Sequence, residues 1–487
     1  ASLYNDLNNA IKDLRGFDVV FEMEWIPRIM NREPDELCNA VLDDRAVDSS
    51  VRSSAQHTDL TIDRLFRILQ LIRDKKPVAP RSLSMELSKI WRDLVFHIVA
   101  KYPVAVEGDS PSAVAYGGSS KVFVRLLFMI LPSLIRVGGP LYVSKPEEHR
   151  KMRQHLQMLQ DTEYLHHCLH VLEEQLTSDR PKRDPLPKRS MTAAQINSYC
   201  SRGIYRKCYD VENVELALPT PENIGLIKQG LPVSELPAPL HESPQTVATI
   251  AFRKLREIIG KKMQNGKSPG LSGWTRELLF PLFCTEVHPI AEAALTGIFN
   301  DIANANLSEG EKTFFRTTIL TPLRYLDKVK IRALMLTDVI LKVCWKSLLT
   351  EIKDDFVLKT GQVHGRKGQS ALAVLAIQMA LNEDQVVVSL DISNAFPTLK
   401  RDTFMEYVKN HRDWWQIIPL LNMMYTVVVS ARWYLSDGKM NFIEFLVTTG
   451  TLQGCASGPQ LYVCGTVETT AKFGASIIQM ADDINVC

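Results

Sequence analysis

Two segments, VVVSLDISNAF (386–396) and SIIQMADDINVC (476–487), decide how this chain is read. The first is almost continuously apolar up to Asp391, the pattern of a strand covered on both faces. The second reads as strand, tight turn, strand, with Asp482 and Asp483 adjacent at the turn. A carboxylate at the end of an apolar strand is costly unless it is paired or liganded. Three of them brought together repel: at about 4 Å and an effective dielectric near 20, each pair costs on the order of 4 kcal/mol. Divalent cations remove that cost, and hard oxygen ligands favour Mg2+ over Zn2+.

Two Mg2+ ions, with Mn2+ as a substitute, suit nucleotidyl transfer. One activates a primer 3′-hydroxyl and the other neutralises the leaving pyrophosphate. Neither Asp signal is specific alone; their order, and what lies between them, carries the reading. Phe396 follows Asp391 by five residues. With Asp391 on a metal, its ring is expected beneath the sugar of an incoming nucleotide, where it would exclude a 2′-hydroxyl. Taken alone, Phe396 is an ordinary core aromatic.

TTGTLQGCASGPQLYVCGTVETTAKF (448–473) is a Gly-rich loop entering a helix, with Pro459 near the first turn. Gln453 offers an amide donor, and Gly454 lets backbone approach a ligand closely. Upstream, DKVKIRALMLTDVILKV (327–343) alternates Lys328, Lys330 and Arg332, which share one face of a strand. A basic face opposite carboxylates would hold a triphosphate. NGKSPGLSGWTRELL (265–279) reads as a loop capping into a helix. There Lys267 offers charge, and Trp274 is either a base-stacking aromatic or a packing anchor. TVVVSARWYL (426–435) and NFIEFLVTT (441–449), separated by SDGKM, read as a hairpin.

The N-terminal half has another texture. Residues 59–72, MELSKIWRDLVFHIVAKY and KPEEHRKMRQHLQMLQ show helical spacing, and Asp59 is a candidate cap. VEGDSPSAVAYGGSS (106–120) is a loop by composition. The run 122–135 is too short to span a bilayer and reads as a buried helix. DRPKRDPLPKRS (179–190) has linker composition, and Pro219–Pro244 is a second polar, Pro-rich stretch. His166, His167, Cys168 and His170 cluster, with Cys200 and Cys208 later. A polar helix face is the expectation there, and a zinc site the alternative.

At 487 residues the chain is long enough for two to four domains at roughly 100–200 residues each. Its 57 basic and 55 acidic residues nearly balance, so any nucleic-acid surface must be a local patch. Nine scattered cysteines without a Cys-x-x-Cys pair fit a reducing compartment, not a disulfide scaffold.

The ordered blocks GKSPGLSGWT, KVKIRAL, GQVHGRKGQSA (361–371), VSLDISNAF, TLQGCASGP and MADD resemble those of non-LTR retrotransposon reverse transcriptases. With IWRDLVFHIVAKYP and LLFMILPSLIRVGGP, they are most similar to the site-specific CRE-type spliced-leader elements with a restriction-like endonuclease. The resemblance covers residues 220–487 well and 84–140 loosely. It implies an α+β right-hand polymerase, with fingers and an antiparallel palm behind a mainly helical N-terminal region. Residues 1–80 would be a helical region of unknown role, and 81–190 a helical extension contacting RNA or DNA. Residues 191–380 would be fingers, and 381–487 a catalytic palm that stops before the thumb.

The resemblance further implies target-primed reverse transcription in the nucleus, with element RNA as template, target DNA as primer, dNTPs as substrates and no membrane partner. Asp391, Asp482 and Asp483 become the metal triad, with Ile392 beside Asp391 in the metal set. Lys330 and Arg332 become the triphosphate grip, Phe396 the steric gate, and Gln453 and Gly454 nucleotide contacts. Lys267, Trp274, Arg366 and Lys367 become nucleic-acid contacts. Ala333 and Met480 depart from the Pro and the aromatic usual at those positions. An RNA-dependent RNA polymerase shares the triad, but Phe396, Gln453-Gly454 and Ala481 count against it. A domesticated, non-catalytic RNA-binding derivative is the other alternative.

Overall fold

Apolar residues spaced three and four apart turn the first described part of the chain into five helices. These are α1 (Ile62–Lys75), α2 (Met85–Val99), α3 (Pro111–Leu134), α4 (Pro146–Met158) and α5 (Thr162–Thr177). The structure, a computed structural model, describes residues 61–76, 83–102, 111–135, 137, 146–178, 214–284, 286–326, 330–352, 388–391, 394–435, 442–471, 477–480 and 483–486. Leu60–Cys487 form one compact unit.

In α1, Leu65, Ile68, Leu69 and Ile72 are buried on one stripe. Its cap is Thr61, whose hydroxyl accepts from the Arg64 amide; Asp59 lies outside the described residues. Ser84 and Asp161 cap α2 and α5 in the same way. The composition of 106–120 predicts a loop, yet α3 begins at Pro111. Pro is tolerated in a first turn because its missing N–H would have no partner there. The apolar run at 122–135 forms the buried half of α3, as its composition predicts. No described helix is long and apolar enough to cross a membrane.

These helices pack directly onto the segments that follow. They are α6 (Pro221–Gly230), α7 (Phe252–Glu257, continued by a π turn at Ile258–Lys262), α8 (Arg276–Phe283), α9 (Pro289–Ala303) and α10 (Glu309–Arg316). The first of these lies inside the Pro-rich stretch 219–244. The Trp91 indole donates to the Leu278 carbonyl at 3.0 Å. Trp274 is 0 % exposed. It stacks on Phe128 at 4.6 Å and donates to the Phe128 carbonyl at 2.9 Å. Trp274 is therefore a packing anchor, and the base-stacking expectation is corrected: no face of the ring is open to a ligand.

Beside it sits a buried ionic group. Arg125 (4 % exposed) donates to Glu311 (0 % exposed) at 2.7 Å and to Asp301 at 2.9 Å. The Tyr102 hydroxyl also donates to Asp301. Burial alone would lower the Arg125 pKa, but its hydrogen bonds and charge attraction, led by Glu311, leave it raised. Glu311 also closes a capping box with Ser308 at the start of α10.

The strands form two sheets. In the larger, β2 (Thr317–Tyr325) is the hub. β3 (Lys330–Leu336) runs antiparallel along one edge. β1 (Val214–Leu216), antiparallel, and β5 (Val429–Tyr434), parallel, share the other. β6 (Phe442–Val447) completes the sheet as the antiparallel hairpin partner of β5, as the sequence predicts. The smaller sheet has the order β4–β8–β7, with β4 at Val388–Asp391, β7 at Ile477–Met480 and β8 at Asp483–Val486, all antiparallel. The remaining helices are α11 (Val339–Leu349), α12 (Ala395–Thr398), α13 (Arg401–Asn410), α14 (Ile418–Tyr425) and α15 (Gly458–Ala471). The fold is mixed α+β with a helical N-terminal region.

Replacing Arg125 with Met should destabilise the chain by about 3–5 kcal/mol, because Glu311 is left buried without its cation. Arg125→Met with Glu311→Gln should recover part of that loss. Guanidinium unfolding of the three proteins checks it; a single-variant midpoint equal to wild type would contradict the argument.

Candidate functional site

The smaller sheet sets the acidic half of the site. Its register pairs Asp391 of β4 with Asp483 of β8. Directly opposed residues of an antiparallel pair have Cβ atoms about 4.5–5.5 Å apart, and like charges there are destabilising. Asp391 and Asp483 thus occupy one position of the ladder. Ile392 and Asp482 lie outside the described residues.

A second feature forms where the chain after β4 meets the loop before α15. The Thr451 amide donates to the Phe396 carbonyl at 2.8 Å, and the Gly450 amide to the Leu399 carbonyl at 2.9 Å. The approach is so close that a Cβ on Gly450 would overlap the carbonyls of Phe396 and Pro397. Gly450 also has φ +67°, which favours glycine. Opposite, the Met335 amide of β3 donates to the Gln453 carbonyl at 2.7 Å. Gly454, at φ +105°, sits against the Met335 carbonyl.

Beside these contacts opens a cavity of about 340 Å3. Phe396, Gln453, Gly454 and Pro459 line it together with Lys342 and Lys346 of α11. The Phe396 ring is half-buried and leans on Tyr462 of α15 at 4.9 Å. On the buried side, the Ser457 hydroxyl lies 3.1 Å from the Cys455 sulfur and 3.2 Å from the Tyr425 hydroxyl.

Three sequence-predicted residues, Phe396, Gln453 and Gly454, therefore meet at one cavity. Lys330 and Arg332 do share a strand face, but neither lines it. Lys330 is exposed, and the Arg332 guanidinium lies over the Tyr325 ring at 5.8 Å. Lys267 is exposed on the loop before α8. Lys328, Arg366 and Lys367 fall outside the described residues. The helix α5 turns Cys168 into the core, and among the described residues no group of three or more His, Cys, Asp or Glu could hold a metal.

The lysines of α11 are what reading by blocks overlooks. Their signal was present: in DVILKVCWKSLL they are the sole cations of an apolar helix, four residues apart. Asp338 caps that helix, accepting from the Ile340 and Ser272 amides at 3.0 Å each. Burial raises the Asp338 pKa, and the Ser272 and Ile340 hydrogen bonds oppose the rise. Burial lowers the Lys342 pKa from 10.5; Cys455 and Asp338 oppose the shift, while Lys346 and Lys267 add to it. Lys346 is also lowered by burial and by the Lys262 and Lys267 charges.

The Lys342 shift has a stability consequence. The folded chain bears the full penalty of a charged Lys342 below its depressed pKa, and the penalty fades as pH rises toward 10.5. Lys342→Gln should therefore be more stable than wild type near neutral pH, with the difference shrinking in alkali. Urea midpoints across that range check this; a constant offset would contradict it.

No family model matches the chain. It is 27 % identical over 261 residues to the retrotransposable element SLACS 132 kDa protein of Trypanosoma brucei gambiense. The match takes in 51 % of this chain and 21 % of that protein, so this chain covers about a fifth of its relative's length. The similarity supports a relationship to a retrotransposon protein.

Proposed function

We propose that this chain is the polymerase portion of an RNA-directed DNA polymerase of a non-LTR retrotransposon. The observation that carries the reading is the β4–β8 register, with Asp391 opposite Asp483, together with a cavity lined by Phe396, five residues after Asp391. A similarity to a retrotransposable-element protein agrees with it. On this reading 191–380 are fingers and 381–487 palm. The helices before them extend the RNA- or DNA-contacting surface. Element RNA is copied from a target-DNA primer in the nucleus.

The step is attack of the primer 3′-oxygen on the α-phosphorus of a dNTP. The bond from that phosphorus to the β-phosphate oxygen breaks, pyrophosphate leaves and the hydroxyl proton passes to solvent. Asp391 and Asp483, with Asp482, would hold two Mg2+ ions, which when bound lower the hydroxyl pKa and neutralise the leaving group. The protein's own part is positioning. The loop at Gln453 and Gly454 presents an amide side chain and a close backbone to the nucleotide. Phe396, braced by Tyr462, closes the sugar side to a 2′-hydroxyl. Lys330 and Arg332 supply positive charge from β3 for the triphosphate.

Primer extension on an RNA template with Mg2+ tests the reading. dNTPs should be incorporated in preference to rNTPs, and Asp483→Ala should abolish extension. Phe396→Ala should raise rNTP use by on the order of tenfold or more, the range for a steric contact of this size. A wild-type preference for rNTPs, or equal activity in the Asp483→Ala protein, would sink the proposal.

A further inference from the structure

The cavity beside Phe396 holds two cations that the block pattern does not assign. Lys342 and Lys346 lie one helical turn apart, so both meet the same cavity wall. Among the described residues neither forms an ion pair with a carboxylate. Cys455 and Asp338 attract Lys342, and the Asp338 carboxylate already accepts from the Ser272 and Ile340 amides. Lys346 donates only to the Lys262 carbonyl, at 3.0 Å. A third cation, Lys267, is near enough to lower the pKa of both lysines. Holding like charges together at a half-buried wall works against folding. An anion at the cavity would relieve it.

The position of the pair narrows the anion. Cβ atoms at i and i+4 on a helix are about 5–6 Å apart, so the two ammonium groups form a short row, not a single-point clamp. A flexible row of point charges suits successive phosphates of a strand, since Lys contacts phosphate without bidentate geometry. Gly454 and Pro459 also line the cavity and leave room for backbone or sugar, and Gln453 is the sole side-chain amide among its lining residues. The geometry points to Lys342 and Lys346 as a phosphodiester subsite for single-stranded template RNA, with Lys267 as an outer cation. It rests on the polymerase reading for the word template, but the binding itself does not require that chemistry takes place.

The test is RNA binding by the whole chain as a function of salt. The probe is a fluorescently labelled oligouridine, read by anisotropy, with wild type, Lys342→Gln/Lys346→Gln and Asp483→Ala compared. Each phosphate contact to a single strand contributes about 0.7 to the slope of log K against log salt. The double variant should lose about 1.4 from that slope and bind more weakly at every salt concentration, while Asp483→Ala keeps the wild-type slope. Circular dichroism and a denaturation midpoint confirm that the double variant is folded, and Lys342→Arg/Lys346→Arg should restore most of the slope. A folded double variant with an unchanged slope overturns the inference. So does a variant whose only defect is a raised KM for dNTPs, since the phosphate would then belong to the nucleotide. If wild type binds oligouridine with the expected slope but extends no primer, the polymerase reading fails and the subsite stands.

Discussion

Arg401 donates from inside the protein to five backbone carbonyls, those of Gly450, Tyr425, Val427, Val447 and Thr449. A guanidinium has five N–H donors and no acceptor, so the match uses its full capacity. Burial lowers its pKa to about 10, which leaves it charged near neutrality. The five carbonyls come from the end of α14, the bend before β5, the end of β6 and the turn beyond it. One side chain thus fixes the hairpin, and with it the turn at Thr449–Gly450 that meets the Phe396 and Leu399 carbonyls. The chain just beyond that turn bonds to Phe396, which lines the cavity, and the turn is held by charge-assisted hydrogen bonds that water does not compete for.

Around this point the electrostatics divide into two parts. Asp391 and Asp483 occupy one register position of the β4–β8 ladder, and two lysines of α11 line the cavity. Like charges brought together in either half repel one another. Proteins carry such strain at sites of function, where a ligand of opposite charge relieves it. On the proposed function, bound metal ions would meet the acidic half and phosphates would meet the lysines.

The N-terminal helices belong to the same body as the strands. Trp91, Trp274 and the Arg125–Glu311 pair tie α2 and α3 to α8 and α10. At the far end of α1, Asp74 pairs with Arg432 of β5, which also pairs with Glu444 of β6. Helices 62–177 therefore brace both the α8–α10 region and the hairpin that Arg401 organises.

Much of this was legible in the chain itself. Apolar period gave α1, α2 and α4, alternation around Asp-Gly gave the β5–β6 hairpin, and the Gly-rich loop announced α15 through Pro459. Order of motifs brought Phe396, Gln453 and the aspartates into one hypothesis. Local pattern fixes which residues share a face, because that depends only on 3.6 or 2 residues per repeat. It does not fix what the face meets. That Trp274 is sealed against Phe128, that α3 starts at Pro111, that Lys342 and Lys346 line the cavity while Lys330 and Arg332 do not, and that Asp391 stands opposite Asp483 were decided by packing between segments far apart in sequence. Those pairings depend on strand register and side-chain volume, which no single stretch of the sequence contains.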